Sequence, residues 1–157
     1  MEIFGGEAGV SRIAIRRRLK TGKNFDLVTG YNLLDPAVQE EILTYIRRYK
    51  PLIVIMGPPC TSFGNWSRIN RCINFQTWQR TRAEGEELAN FAAKICKLQL
   101  SGGRHFLVEN PAGSELFRLP SFKDLWATNQ VCSINVVQCA LGLKVHGEPI
   151  LKNTTLW

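Results

Sequence analysis

The chain has 157 residues, a formal charge of +7, 45% hydrophobic and 21% charged residues. That length suits one domain with a full-sized core, and the composition excludes a disordered chain. No apolar run approaches the ~20 residues of a bilayer crossing, and the first residues carry no signal-peptide pattern.

The basic excess, with an isoelectric point near 9.4, favours a polyanionic partner, nucleic acid first. Five cysteines (Cys60, Cys72, Cys96, Cys132 and Cys139) include no C-x-x-C pair. They point to reduced thiols and argue against a structural zinc site. The expectation is an intracellular protein with no membrane partner, nuclear in a eukaryote and cytoplasmic or nucleoid-associated in a bacterium or phage.

In chain order, Met1 to Phe4 reads as the end of a strand, and Gly5-Gly6-Glu7-Ala8-Gly9 as a glycine-rich turn. An amphipathic helix follows, with Arg12, Arg16 and Lys20 on one face. Strand, glycine turn and helix together bring backbone N–H groups to a nucleotide-like ligand. The spacing is not G-x-G-x-x-G, so the dinucleotide fingerprint fails. Phe25 to Val28 reads as a second strand carrying Asp26. Asp35 is a helix N-cap with Pro36 at the first helical position, and Val38, Ile42, Tyr45, Ile46 and Tyr49 mark that helix's apolar face.

Leu52 to Met56 is a buried strand that runs into Gly57-Pro58-Pro59-Cys60. The prolines stiffen the turn and deliver Cys60 to the strand's carboxyl end. On these residues alone, Cys60 is either a nucleophile or a small buried hydrophobe. Residues 62–82 show little periodicity and interleave Phe63, Trp66, Phe75 and Trp78 with Arg68, Arg71, Arg80 and Arg82. They read as an irregular loop: either a nucleic-acid face built for stacking and phosphate contact, or core aromatics with solvated arginines. Glu84 to Leu100 is the clearest helix, with Cys96 on its apolar side. His105 to Val108 is a strand that delivers Glu109-Asn110-Pro111 as the earlier strand delivers Cys60. Ser114 to Trp126 reads as short helical pieces broken at Pro120; Val131 to Ala140 is the last apolar run, and Ile150 to Trp157 closes the chain as a hairpin partner. Strands alternating with helices predict a single α/β domain over residues 1–157, with a mainly parallel sheet and helices on both faces.

Three of these segments resemble motifs of the cytosine-C5 DNA methyltransferases. Phe4-Gly5-Gly6-Glu7-Ala8-Gly9 is similar to the family's F-x-G-x-G-G, Gly57-Pro58-Pro59-Cys60 to its Pro-Cys motif, and Glu109-Asn110 to its Glu-Asn motif. Order and spacing match over nearly the whole chain, and the shortened form looks closest to compact methylase-like proteins of viruses and mobile elements. The resemblance implies a Rossmann-like methyltransferase fold that uses S-adenosyl-L-methionine. It implies that Phe4 packs on the adenine, the Gly5–Gly9 turn with Pro58 surrounds the cofactor, Asp26 binds the ribose, and Asn32 meets the adenine amino group. It further implies that Cys60, presented by Pro59, adds to C6 of a flipped cytosine. Glu109, held by Asn110 and kept in its acid form by burial, would donate to the base. Ser62, Trp66, Arg68, Arg71 and Lys152 are the expected nucleic-acid contacts, on DNA or on RNA.

The family's Q-x-R-x-R motif has no counterpart; the matching stretch reads Lys152-Asn153-Thr154-Thr155-Leu156-Trp157. Target recognition is therefore expected from a partner subunit or from flanking segments. A non-catalytic nucleic-acid-binding module on the same fold is the alternative. A cysteine hydrolase pairing Cys60 with His105 or His146 is a third reading, disfavoured because His105 opens the strand that Glu109 ends.

Overall fold

The computed structural model describes the backbone of all 157 residues and the side chains of all but Asn65, Trp66 and Arg68. The fold is α/β. Six strands form a mixed, mostly parallel sheet: β1 (Glu2–Ile3), β2 (Asn24–Phe25), β3 (Ile53–Met56), β4 (His105–Pro111), β5 (Ile134–Val137) and β8 (Asn153–Leu156), in the order β2-β1-β3-β4-β8-β5. β6 (Lys144–Val145) and β7 (Glu148–Pro149) make a separate two-stranded hairpin. β2, β1, β3 and β4 are parallel, and β8 runs antiparallel between β4 and β5.

The helices are α1 (Gly9–Arg16), α2 (Pro36–Tyr49), α3 (Asn65–Ile73), α4 (Phe75–Ser101) and α5 (Pro120–Trp126). Among the described residues no helix is long and apolar enough to cross a membrane. The predicted caps form: Asp35 accepts from the Ala37 N–H at 2.8 Å, with Pro36 at the helix start.

Register separates the two sheet faces. Ile3, Phe25, Val54, Met56 and Val108 fall on one face and are fully buried. They share a core with Ile42 and Ile46 of α2, Ala92, Ile95 and Cys96 of α4, and Phe122 and Leu125 of α5. The other face carries Glu2, Ile53, Ile55, Leu107 and Glu109. α1 lies on this side, tied to Glu2, and buries none of its residues. Helices therefore occupy both faces, but very unequally.

Three expectations are corrected. Residues 62–82 are not an irregular loop: α3 and the first turns of α4 occupy them. Asn74, in extended conformation, separates the two helices and caps α4 by accepting from the Thr77 N–H at 3.0 Å. Leu27 and Val28 form a 3-10 turn with Thr29 rather than strand, because the Asp26 carboxylate caps it. Tyr49 is exposed, and Leu43 takes its expected place in the core.

Candidate active site

β1 and β3 are neighbours, but the chain leaves them in opposite directions, from β1 to β2 and from β3 to β4. Such a switch point opens a crevice at the strands' carboxyl ends, where α/β sheets place ligands. The glycine turn after β1 and the Gly57–Cys60 turn after β3 border that crevice.

The glycine turn is strained and tightly held. Phe4 and Ala8 take left-handed backbone at φ 57°, and Gly6 does so at φ 52°; for the two non-glycine residues this costs about 1–2 kcal/mol each. Three side chains offset it. Glu2 accepts from the N–H groups of Val10 at 3.3 Å and Ser11 at 2.6 Å, supplying the cap that Ala8 cannot. Asn24 donates to the Gly6 carbonyl at 2.8 Å, and Asp26 accepts from the Gly6 N–H at 2.9 Å. A Cβ on Gly5 would lie 2.6 Å from Asn24 Oδ1 and 2.8 Å from Glu2 Cβ, so only glycine passes there. A Cβ on Gly6 or Gly9 would meet nothing within 4 Å, which leaves the turn's outer side open to a ligand.

The Cys60 turn is anchored on both sides. Pro58 is buried, and its carbonyl accepts from Asn110 Nδ2 at 2.8 Å. Cys60 is exposed, while its carbonyl accepts from the N–H groups of Phe63 and Gly64 at 3.0 and 2.9 Å. Further on, Ser62 Oγ donates to the Thr81 carbonyl at 2.8 Å, and Arg82 donates to the Ser62 carbonyl at 2.9 Å and to Glu115 at 2.7 Å. The Glu115 N–H closes the ring on the Phe63 carbonyl at 3.0 Å. The segment after the thiol is thus fastened to α4 and to the chain that follows β4.

Glu109 follows the last residue of β4 that pairs with β3, near the carboxyl end of that strand. Its Oε1 accepts from Lys152 Nζ at 3.2 Å and Gln138 Nε2 at 3.3 Å, and Gln138 also donates to Thr154 Oγ1 at 2.9 Å. The expected burial is not seen: the Glu109 side chain is 30% exposed and its partner is a cation. Asn110, one residue on, is fully buried, and its Oδ1 has no hydrogen-bond partner among the described residues.

Of the residues expected to form a site, Phe4–Gly9, Asp26, Pro58, Pro59, Cys60, Glu109, Asn110 and Lys152 stand at or beside the carboxyl edge. Other expected contacts lie differently. Asn32 is exposed and its Oδ1 is engaged by the Leu34 N–H at 3.1 Å. The Ser62 hydroxyl is buried and turned to Thr81, so it is not presented to a nucleic acid. Arg71 is exposed, its guanidinium 5.1 Å from the centre of the Trp78 ring. The side chains of Trp66 and Arg68 lie outside the described residues. Beside Cys60, a cleft of about 250 Å3 opens between α3 and α4, lined in part by Thr61, Asn70, Asn74 and Trp78.

Four residues were missed. Glu2 was passed over as a strand residue, although a charge inside so short an apolar strand was an available signal, and Asn24 was passed over as part of the loop before the second strand. Gln138 follows Val136-Val137 as one of three polar residues, with Ser133 and Asn135, inside an apolar run, so nothing local set it apart. Nothing in the sequence set Arg82 apart from the other arginines around it. Comparison with protein-family models, curated proteins and solved structures found no match.

Proposed function

We propose that the chain is an S-adenosylmethionine-dependent methyltransferase that acts on C5 of cytosine in DNA, on a Rossmann-like methyltransferase fold. One observation carries the reading: the buried hydrogen bond from Asn110 to the Pro58 carbonyl, at 2.8 Å. It joins the turn that presents an exposed thiol to the strand end that presents a carboxylate, at the edge where the glycine turn opens.

The chemistry needs that pairing. Cytosine C5 is a poor nucleophile. Addition of the Cys60 thiolate to C6 moves electron density to C5, which can then attack an electrophile. Loss of the C5 proton afterwards lets the Cys60–C6 bond break and frees the thiol. Glu109 and its partner Lys152 would face the base's Watson–Crick edge, where a proton or hydrogen bond at N3 assists the addition. The base must leave the stack to reach them.

The glycine turn fits the methyl donor. Gly6 and Gly9 leave open the space their side chains would fill, and each Asp26 oxygen, although used once, keeps a free lone pair for a ribose hydroxyl. When bound, S-adenosylmethionine supplies an electrophilic methyl sulfonium.

The ion pair between Glu109 and Lys152 favours a second reading, a binding module without catalysis, because the cation already occupies the carboxylate. Two measurements separate the readings. A duplex containing 5-fluorocytosine, incubated with S-adenosylmethionine, traps a covalent adduct on wild-type protein and on Cys72→Ser, and none on Cys60→Ser; an RNA oligonucleotide of the same sequence tests the other substrate. Cofactor at ~100 times its dissociation constant stabilises the chain by about 2.7 kcal/mol. No adduct and no thermal shift at millimolar cofactor would sink the enzyme reading.

A further inference from the structure

The net positive charge of this chain comes almost entirely from one segment. Between Glu7 and Asp26 stand Arg12, Arg16, Arg17, Arg18, Lys20 and Lys23, with no acidic residue among them. Without these six, the 20 lysines and arginines fall to 14 against 13 acidic residues, so the remainder of the chain is nearly neutral.

Two of the six are engaged. Lys23 Nζ is 3.0 Å from Glu41 and lies over the Tyr31 ring, and Arg12 reaches Glu7 at 3.9 Å. Arg16, Arg17, Arg18 and Lys20 are exposed and have no ion-pair partner among the described residues. They share one short stretch: α1 ends at Arg16, Arg17 follows as its C-cap, and Arg18 takes left-handed backbone at φ 59°. Because β1 and β2 are parallel, α1 must carry the chain from the carboxyl edge of the sheet back to the amino edge. The cluster therefore lies toward the edge opposite Cys60 and Glu109.

We propose that Arg16, Arg17, Arg18 and Lys20 form a surface that binds the phosphate backbone of nucleic acid without reading its sequence, separate from the site at Cys60. Four like charges held close together repel one another unless a polyanion screens them, and three of the four are arginines, whose planar forks match phosphate oxygens. An anionic bilayer is the competing partner for such a stretch. A helix that lies on a membrane gathers a broad apolar face, often with aromatics, away from its charges. Here α1 has only eight residues, its exposed apolar side chains are the aliphatic Val10, Ile13 and Ile15, and no aromatic occurs between Gly9 and Asn24. The pattern fits a phosphate track better than a lipid surface. This surface does not depend on Cys60 chemistry.

The test is a fluorescence-anisotropy titration of the 157-residue chain with a labelled 30-base-pair duplex of random sequence, repeated across salt concentrations. Wild type should bind with a steep salt dependence. The combined variant Arg16→Gln, Arg17→Gln, Arg18→Gln, Lys20→Gln should flatten the slope of log K against log salt by about 3 to 4, at ~0.9 per lost phosphate contact. Arg16→Lys with Arg17→Lys and Arg18→Lys keeps the charge and should retain the slope. If the fourfold variant fails to fold by circular dichroism, Arg16→Gln and Lys20→Gln are measured singly, each expected to lower the slope by about 1. An unchanged slope overturns the proposal, as does absent wild-type binding at 50 mM salt or tighter binding to phosphatidylserine vesicles than to duplex. A missing covalent adduct alongside an intact slope effect would refute the catalytic reading and leave this surface standing.

Discussion

Asn110 is the residue on which the candidate site can be tested most sharply, and Asn110→Asp is the informative change. Asn110 Nδ2 donates to the buried Pro58 carbonyl at 2.8 Å, and its Oδ1 has no partner among the described residues. Asn110→Ala removes the donor and strands the carbonyl, which costs about 1–3 kcal/mol. It also removes the stranded Oδ1, which returns on the order of 1 kcal/mol, while the small void adds a comparable cost. The net is a loss of about 1–3 kcal/mol, or a fall in melting temperature of roughly 3–10 °C for a domain of this size. Asn110→Asp preserves volume but as a carboxylate cannot donate, so at neutral pH it must either set a charge against the Pro58 carbonyl or take up a proton in a fully buried position. Its cost should exceed that of the alanine variant and reach about 3 kcal/mol or more. Urea denaturation followed by circular dichroism measures both. Trapping on 5-fluorocytosine duplex, run where each variant is still folded, should slow in both, because the Cys60 turn has lost its tie to β4. An Asn110→Asp variant with the wild-type urea midpoint would show that this hydrogen bond holds nothing.

Further predictions concern the thiols and the two turns. Burial pushes the Cys96 thiol up, so little thiolate forms near pH 8 and Cys96 should resist iodoacetamide until the chain unfolds, while Cys60, Cys72 and Cys132 label first; mass spectrometry of the digested protein reads the order, and early labelling of Cys96 refutes its burial. A Cβ on Gly85 would come within van der Waals overlap of Ser62 Oγ and Cβ, so Gly85→Ala should destabilise by about 1–3 kcal/mol despite its better helix propensity. Adding Ser62→Gly should recover most of that loss, and additive single and double effects in denaturation would contradict the contact. Asp26→Ala frees the N–H groups of Gly6 and Val28, so hydrogen exchange at both should rise at least tenfold, corresponding to about 1.4 kcal/mol of lost protection; unchanged exchange would mean that the glycine turn stands without the carboxylate.

The strands and their carboxyl ends were legible because their signals are local. A β-branched run closed by Gly-Pro-Pro, or by Glu-Asn-Pro, says where a strand stops without knowledge of its neighbours. The α3 helix was hidden although Ile69, Cys72 and Ile73 recur at helical spacing: the stripe is short and all three are exposed, while Ser67, which is buried and meets the Trp78 indole at 2.9 Å, is polar. The roles of Glu2, Arg82 and Gln138 were not legible because each is defined by a partner distant in sequence. Arg82 becomes distinct from Arg80 only when Glu115, 33 residues later, arrives beside it. The uneven cover of the sheet was equally hidden, since the composition of α1 promises an amphipathic helix and does not say how little of it is buried.

The order of Glu109 and Asn110 follows from strand geometry. Successive residues of a strand point to opposite faces. By register, Asn110 falls on the face of Val108 and Met56, under the helices, and Glu109 on the face of Ile55 and Leu107, which the helices leave largely open. Asn110 can therefore hold the Pro58 carbonyl in the core while Glu109, one residue away, stays accessible beside Lys152 and Gln138. Exchanging the two would bury an unpaired carboxylate and expose the donor that fixes the Cys60 turn. One dipeptide thus performs two tasks that need opposite environments, anchoring one strand end to the next and presenting a carboxylate to the crevice, and only an alternating backbone at a strand's end can provide both.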